Sequence, residues 1–184
     1  MEQLEDNELM AMAEQGRSEG LGLLFERHHR PLFQFLYRLT GERGLSEDLL
    51  QEAFLRALKY ARSFKVDGAF RPWIYQIARR AHLDHCQRLR PEVGLKDWDE
   101  VPGSDARSPL NCVEARQDSD RLTRALWSIA PAQRELLLLA KDSELSYRDM
   151  AEILGCSEGA LKVRVHRALK ELRQAFQSLP GGGA

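Results

Sequence analysis

The 184-residue chain is predicted to be all-α, two small helical domains joined by a flexible acidic linker, with a helix-turn-helix in the C-terminal domain. Three observations lead there. Apolar residues recur at spacings of three and four in the candidate segments, and none alternates with the period of two that a strand requires. Proline, glycine and acidic residues gather in one central stretch where no helical period survives. Near the C-terminus, stop and start signals for two helices lie within a few residues of each other.

Taken in order, LGLLFERHH, PLFQFLYRL, SEDLLQEAFLRALKYA and FRPWIYQIARRAHLDHCQRL each carry the helical apolar period, and the first fifteen or so residues form a further helix. Ser46 is expected to cap the third of these segments, with Glu47 and Asp48 placing negative charge in its first turn, where the helix dipole favours it. Leu49, Leu50, Ala53, Phe54, Ala57 and Leu58 then make its buried stripe. The other face holds Asp48, Gln51, Glu52, Arg56 and Lys59, with Leu55 between the two. After the turn-forming ARSFKVDGAF, Pro72 is expected to open the next helix, where its missing N–H is harmless. Phe70, Trp73, Ile74, Ile77, Ala78 and Ala81 mark the core side of that helix.

Net charge is only -1 over the whole chain, but charge is segregated along it. Residues 61–90 carry a net +5 and residues 91–120 a net -5. The first is a basic helix with aromatic residues at its start, a pairing that tracks phosphates while stacking bases. The second holds Pro91, Pro102 and Pro109 with Gly94 and Gly103. Domain boundaries follow: 1–90 helical, 91–118 acidic linker, 119–178 helix-turn-helix, and 179–184 a disordered tail. The linker suits either a soluble tether or a nucleic-acid mimic that occupies a basic channel until RNA displaces it.

The helix-turn-helix is LSYRDMAEILGCSEGALKVRVHRALKELRQAF. Ser146 and Asp149 fit the S-x-x-D capping box, so a helix begins at Tyr147 with Met150, Ile153 and Leu154 on its apolar face. Ala151 is small enough for close packing. Gly155 supplies the left-handed residue that ends the helix, and Ser157 caps the next. In that second helix Leu161, Val165, Ala168, Leu169 and Leu172 share one face, while Ala160, Val163, Arg167 and Lys170 lie opposite. Residues 161–173 carry a net +4. Small residues at the helix start with basic residues after them suit entry into a major groove.

In this order, SEDLLQEAFLRAL, FRPWIYQIARRAHLDH, an acidic linker and SYRDMAEILGCSEGALKVRVHRALKELR resemble an extracytoplasmic-function (ECF) sigma factor of the sigma-70 family, over about residues 20–178. The resemblance implies an N-terminal domain that grips the clamp helices of core RNA polymerase and melts the -10 element. A C-terminal domain would read the -35 element, with the linker running through the RNA exit channel. It places Asp48, Gln51, Glu52 and Leu55 on the polymerase-binding surface. Ser63, Phe64 and Lys65 of the SFKVDGAF loop would receive a flipped base of the non-template strand, beside Trp73, Arg79 and Arg80. Ser157, Glu158, Gly159, Ala160, Lys162, Val163, Arg164 and Arg167 would face the -35 duplex. Two positions depart from the family pattern: Arg80 stands where IARN has Asn, and Val163 where VKSR has Ser. Val163 faces outward by its helical phase and is expected to touch a thymine methyl. An anti-sigma factor is the further partner the resemblance implies.

Other classes fit less well. No phosphate loop, dinucleotide fingerprint, H-E-x-x-H or G-x-S-x-G is present, so no enzyme and no cofactor is expected. His82, His85 and Cys86 lie within about one turn, and His28 adjoins His29, yet no fourth ligand is evident, so no metal is expected. Cys86, Cys112 and Cys156 are read as free thiols. No apolar run reaches the roughly 20 residues a membrane helix needs, and the start of the chain is acidic, which leads us to expect a cytoplasmic protein with no membrane insertion. A dimeric repressor or activator using the same helix-turn-helix is the remaining rival; it would bind duplex DNA without polymerase.

Overall fold

The computed structural model describes residues 4–65, 68–89 and 117–179. All their regular structure is helical: α1 (Asp6–Glu14), α2 (Ser18–Thr40), α3 (Arg43–Lys59), a 3₁₀ turn (Ala61–Ser63), α4 (Phe70–Leu89), α5 (Gln117–Ser128), α6 (Pro131–Ala140), α7 (Tyr147–Leu154) and α8 (Glu158–Ser178). They form two compact units, one built on α1–α4 and the other around α5, α6 and α8. Most of the expected linker lies outside the described residues, although α5 already begins at Gln117. Of the expected disordered tail only Leu179 is described, and its carbonyl accepts a 3.0 Å hydrogen bond from Arg121 Nη2.

In the first unit α2 is the central element. LGLLFERHH and PLFQFLYRL are one continuous helix with Pro31 inside it. It packs against α3 and α4, and Leu24, Leu32, Leu36 and Leu39 of α2 are buried along with Leu49, Ala53 and Ala57 of α3 and Phe70, Ile74 and Ala78 of α4. Removing such side chains from water at about 25 cal/mol per Å² is the main force holding the unit together. α1 docks through buried Leu9, Met10 and Ala13. Gly20 lets it come close, since a Cβ there would collide with the Leu9 carbonyl oxygen and lie 2.9 Å from Met12 Cβ.

Four expectations are corrected here. Ser46 is not an N-cap: α3 begins earlier, at Arg43, and Ser46 is fully buried inside it. Its hydroxyl donates to the Glu42 carbonyl at 2.6 Å and lies 2.8 Å from Thr40 Oγ1, so the polar group is satisfied within the fold. Pro72 is the third residue of α4 rather than its first, a position whose N–H also lacks an intrahelical partner. Leu58 and Leu169 point outward, 47% and 52% exposed. Tyr75 takes the core place beside Ile74, while Trp73 and Ile77 are only half-buried.

In the second unit Pro131 opens α6, and Leu136 to Leu139 are all buried. Leu161, Val165 and Ala168 of α8 complete that core. Arg134 is also buried, its guanidinium 3.8 Å above the Trp127 ring, and burial brings its pKa down to about 10.

Candidate polymerase and nucleic-acid interfaces

The helix-turn-helix is fixed by its own local chemistry. Asp149 accepts from Ser146 N at 2.8 Å and from the Ser146 hydroxyl at 2.6 Å, and Asp149 N donates back to Ser146 Oγ at 3.1 Å. Gly155 sits at φ +65°, a left-handed conformation that side chains rarely adopt, and closes α7. Two residues later Ser157 Oγ accepts from Ala160 N at 3.2 Å and starts α8. Met150, Ala151 and Ile153 of α7 and Leu161 of α8 are buried, as the apolar pattern requires. The start of α8 is therefore held rigidly while its outer surface is open: Ser157, Glu158, Gly159, Ala160, Lys162, Val163 and Arg167 are exposed, and Arg164 is half-buried. Val163 is 60% exposed, an apolar side chain among polar neighbours.

On α3, Asp48, Gln51 and Leu55 are exposed, Leu55 at 60%. Glu52 differs from them. It is half-buried and bonded to Arg56 Nη2 at 2.5 Å, while Arg56 Nη1 reaches Asp84 of α4 at 2.8 Å and Arg80 Nε reaches the same carboxylate at 3.1 Å. Burial works against the Arg56 charge, but the hydrogen bonds to Asp84 and Glu52 outweigh it and hold its pKa above the usual value. The Arg56–Asp84 pair thus ties α3 to α4, and Glu52 and Arg80 each hold one member of it from its own helix. Beside Leu55 runs an apolar groove of about 400 Å³ between α2 and α3, lined by Leu21, Phe25, Leu50, Phe54, Leu55 and Leu58 with Glu47 and Gln51 at its polar edge. Sequence reasoning missed Leu21, Phe25 and Glu47, although the four-residue spacing of Leu21 and Phe25 was there to be read.

At the start of α4 three aromatic rings cluster. Phe64 and Trp73 meet edge to face at 5.2 Å, and Phe70 lies 6.4 Å from Phe64 and 6.0 Å from Trp73. Phe64 and Trp73 are half-buried, whereas Phe70 is in the core. Ser63 is exposed, and its hydroxyl donates to the Tyr60 carbonyl at 2.7 Å. Lys65 is exposed, and its carbonyl accepts from Gly68 N at 2.8 Å. Val66 and Asp67 of this loop lie outside the described residues. Arg79 and Arg80 follow roughly 10 Å along α4 from Trp73, at about 1.5 Å per residue. The structure thus brings Phe64 and Trp73 together, and it separates the two arginines from them by about two turns.

His28, His29, His82 and Cys86 have local partners. His82 Nε2 lies 3.5 Å from Cys86 Sγ, His28 Nε2 lies 2.6 Å from Asp6 Oδ2, and His29 Nδ1 lies 2.9 Å from the Phe25 carbonyl. Among the described residues no three His, Cys, Asp or Glu side chains are grouped to hold a metal ion. None of the described helices is long and apolar enough to cross a membrane.

Comparison with known proteins matches both units to one family. Residues 24–92 match Sigma-70 region 2, and residues 119–172 match Sigma-70 region 4. The chain is 32% identical to ECF RNA polymerase sigma factor SigM of Mycobacterium tuberculosis, over 96% of this chain and 87% of the relative. It is 33% identical to ECF RNA polymerase sigma factor SigF of Caulobacter vibrioides, over 89% of this chain and 87% of the relative. It spans less of some longer relatives, 59% of SigE of Mycolicibacterium smegmatis, to which it is 31% identical over 82% of its own length. Among solved structures, CnrH in complex with the cytosolic domain of CnrY shares the fold, with a TM-score of 0.71 at 22% identity over 95% of this chain and 99% of that one. The sigma factor RpoE of Bartonella quintana, solved with the anti-sigma factor NepR, gives a TM-score of 0.61 at 27% identity, over 81% of this chain and 91% of that one. With two-domain matches in the expected order and relatives above 30% identity along nearly the whole chain, this protein belongs to the ECF RNA polymerase sigma factors of the sigma-70 family.

Proposed function

We propose that this chain binds core RNA polymerase, recognises -35 and -10 promoter elements, promotes strand opening and starts transcription of a specific set of genes. The observation that carries the reading is the capped helix-turn-helix, whose second helix presents an exposed polar and basic start on a fixed base. Lys162, Arg164 and Arg167 would supply phosphate contacts, which dominate affinity, while Ser157, Glu158, Gly159, Ala160 and Val163 lie nearest the base edges. Val163 carries no hydrogen-bonding group, so its role in the groove is contact with a thymine methyl. Val163→Ser should shift the preferred -35 sequence in a promoter library; an unchanged preference would remove that contact.

In the first unit Asp48, Gln51 and Leu55 offer core polymerase a polar rim around an apolar centre, with Glu52 bracing it, the anatomy of a protein interface. Phe64 and Trp73 give an unstacked base of the -10 element an aromatic wall, with Ser63 and Lys65 at its edge. Arg79 and Arg80 follow the strand along α4. Unstacking a base costs a few kcal/mol, which stacking at about 1–3 kcal/mol per base offsets. An anti-sigma factor, the partner of the Bartonella quintana relative, would compete for this same unit by covering the groove beside Leu55. The acidic linker keeps its proposed place in the RNA exit channel.

Purified chain mixed with core polymerase and promoter DNA tests the reading. Initiation at a defined start site should require the chain, and the chain alone should hold duplex DNA weakly. Tight, specific duplex binding without polymerase would instead favour a conventional repressor.

A further inference from the structure

We infer that His28, with Asp6 behind it, is a positioning residue for the aromatic wall that captures the -10 base. The inference rests on the reading of Phe64 and Trp73 given above and extends it to α1, which lies before the region matched by the family at residues 24–92.

His28 projects from the middle of α2 and is 4% exposed. One edge of its ring is tied to α1, with Nε2 2.6 Å from Asp6 Oδ2. The other Asp6 oxygen is bound by Arg27, whose second nitrogen donates to the Leu4 carbonyl at 3.0 Å. The His28 ring face meets Phe70, centroids 5.0 Å apart and planes tilted by 54°. Phe70 is itself buried and touches both Phe64 and Trp73. A contiguous chain of contacts therefore runs from the Asp6 carboxylate through His28 and Phe70 to the two half-buried rings.

The chemistry of each link favours a single arrangement. Aromatic pairs have preferred tilts and separations, so fixing one ring restricts the next. A carboxylate accepting an N–H bond selects the tautomer with hydrogen on Nε2 and so fixes the imidazole plane. His28 Nδ1 is buried and has no hydrogen-bond partner. That atom suits a neutral ring, because a second N–H there would have no acceptor. Burial opposes a positive charge at this position most strongly, only Asp6 favours one, and Arg71 and Arg27 oppose it too. A leucine or phenylalanine could fill the space, but neither would tie Phe70 to the carboxylate on α1.

The test uses holoenzyme, formed from core polymerase and the full chain, and a fluorescent single-stranded oligonucleotide carrying the non-template -10 sequence of a promoter the holoenzyme transcribes. Abasic substitution along the strand first finds the base that the wild-type wall captures. His28→Ala should weaken binding of the intact oligonucleotide about tenfold, the scale of an aromatic pair and its alignment, and should leave binding of the abasic one unchanged. Asp6→Ala should give a smaller loss of the same base-dependent kind, and the double variant should be no worse than His28→Ala, as expected for two links of one chain. His28→Phe, which keeps a ring but not the tie, should fall between wild type and alanine. Equal losses on intact and abasic strands would make His28 a merely structural residue and overturn the inference. Additive losses in the double variant would sever Asp6 from it. If wild-type holoenzyme shows no abasic-sensitive position at all, the aromatic-wall reading itself fails.

Discussion

The two surfaces proposed to meet DNA are built in opposite ways. The start of α8 is an exposed polar ledge, positioned by caps a few residues away: Ser146 with Asp149, Gly155, and Ser157 with Ala160. The wall at the start of α4 is aromatic and half-buried; behind its neighbour Phe70 it is positioned by residues distant in sequence, His28 and Asp6. The contrast fits the state of DNA each would meet. Duplex DNA presents base edges and phosphates to a surface that need only be polar and fixed. A single strand presents base faces, which bind by stacking and need a dry, preformed aromatic surface.

This comparison can be broken by variants confined to one unit. The largest effect is expected for Leu55→Asp, a charge placed in the middle of the proposed polymerase face. Because Leu55 is 60% exposed, folding should be unaffected, while polymerase affinity measured by fluorescence anisotropy should fall roughly thirtyfold or more. Next comes Gly20→Ala, whose added methyl would collide with the Leu9 carbonyl oxygen and crowd Met12 where α1 packs on α2. Overpacking of this kind costs about 1–3 kcal/mol, read as a lower denaturation midpoint for the α1–α4 unit alone. In the other unit, Arg167→Ala should lower the salt slope of promoter binding by about one, uniformly across sequences. An unchanged slope would take Arg167 out of the interface.

Legibility in the sequence followed the same division. Both caps and the left-handed glycine of the helix-turn-helix are local signals, set by residues three or four apart, and the structure has each where the pattern puts it. Ser46 failed as a cap because its hydroxyl is consumed by Glu42 and Thr40 in the buried corner between α2 and α3, which no local pattern reports. Glu52 looked like one more outward acid until Asp84, distant in sequence, turned out to share Arg56 with it. Leu58 and Leu169 obey the apolar period yet face outward, because the period gives the stripe but not its width. The family resemblance carried the site residues further than periodicity could, but it said nothing of His28, whose importance lies in a contact between α1, α2 and α4.

The smallest expected effect sharpens the contrast through pH. Burial lowers the His28 pKa below 6.5, more than Asp6 raises it. As pH falls below about 6.5, the unfolded chain therefore takes up the proton before the folded one does. Stability from this site is complete above that pH and declines as pH drops towards the depressed folded value. Denaturant melts of the wild type at pH 7.5 and pH 5.5, two pH values on either side of about 6.5, should show the decline, and His28→Phe should flatten this part of it.

The most direct test of the division of labour is a crossed experiment with holoenzyme on forked promoter DNA, duplex through the -35 element and single-stranded through the -10 element. Each element is scrambled in turn, and binding is compared for wild type, Trp73→Ala and Val163→Ser. Trp73→Ala should lose most of its response to scrambling the -10 strand, a drop of about tenfold from one lost stacking contact, and keep its response to the -35 duplex. Val163→Ser should alter only the -35 response. If either variant changes both responses equally, the two units do not read separate states of DNA and the account is wrong.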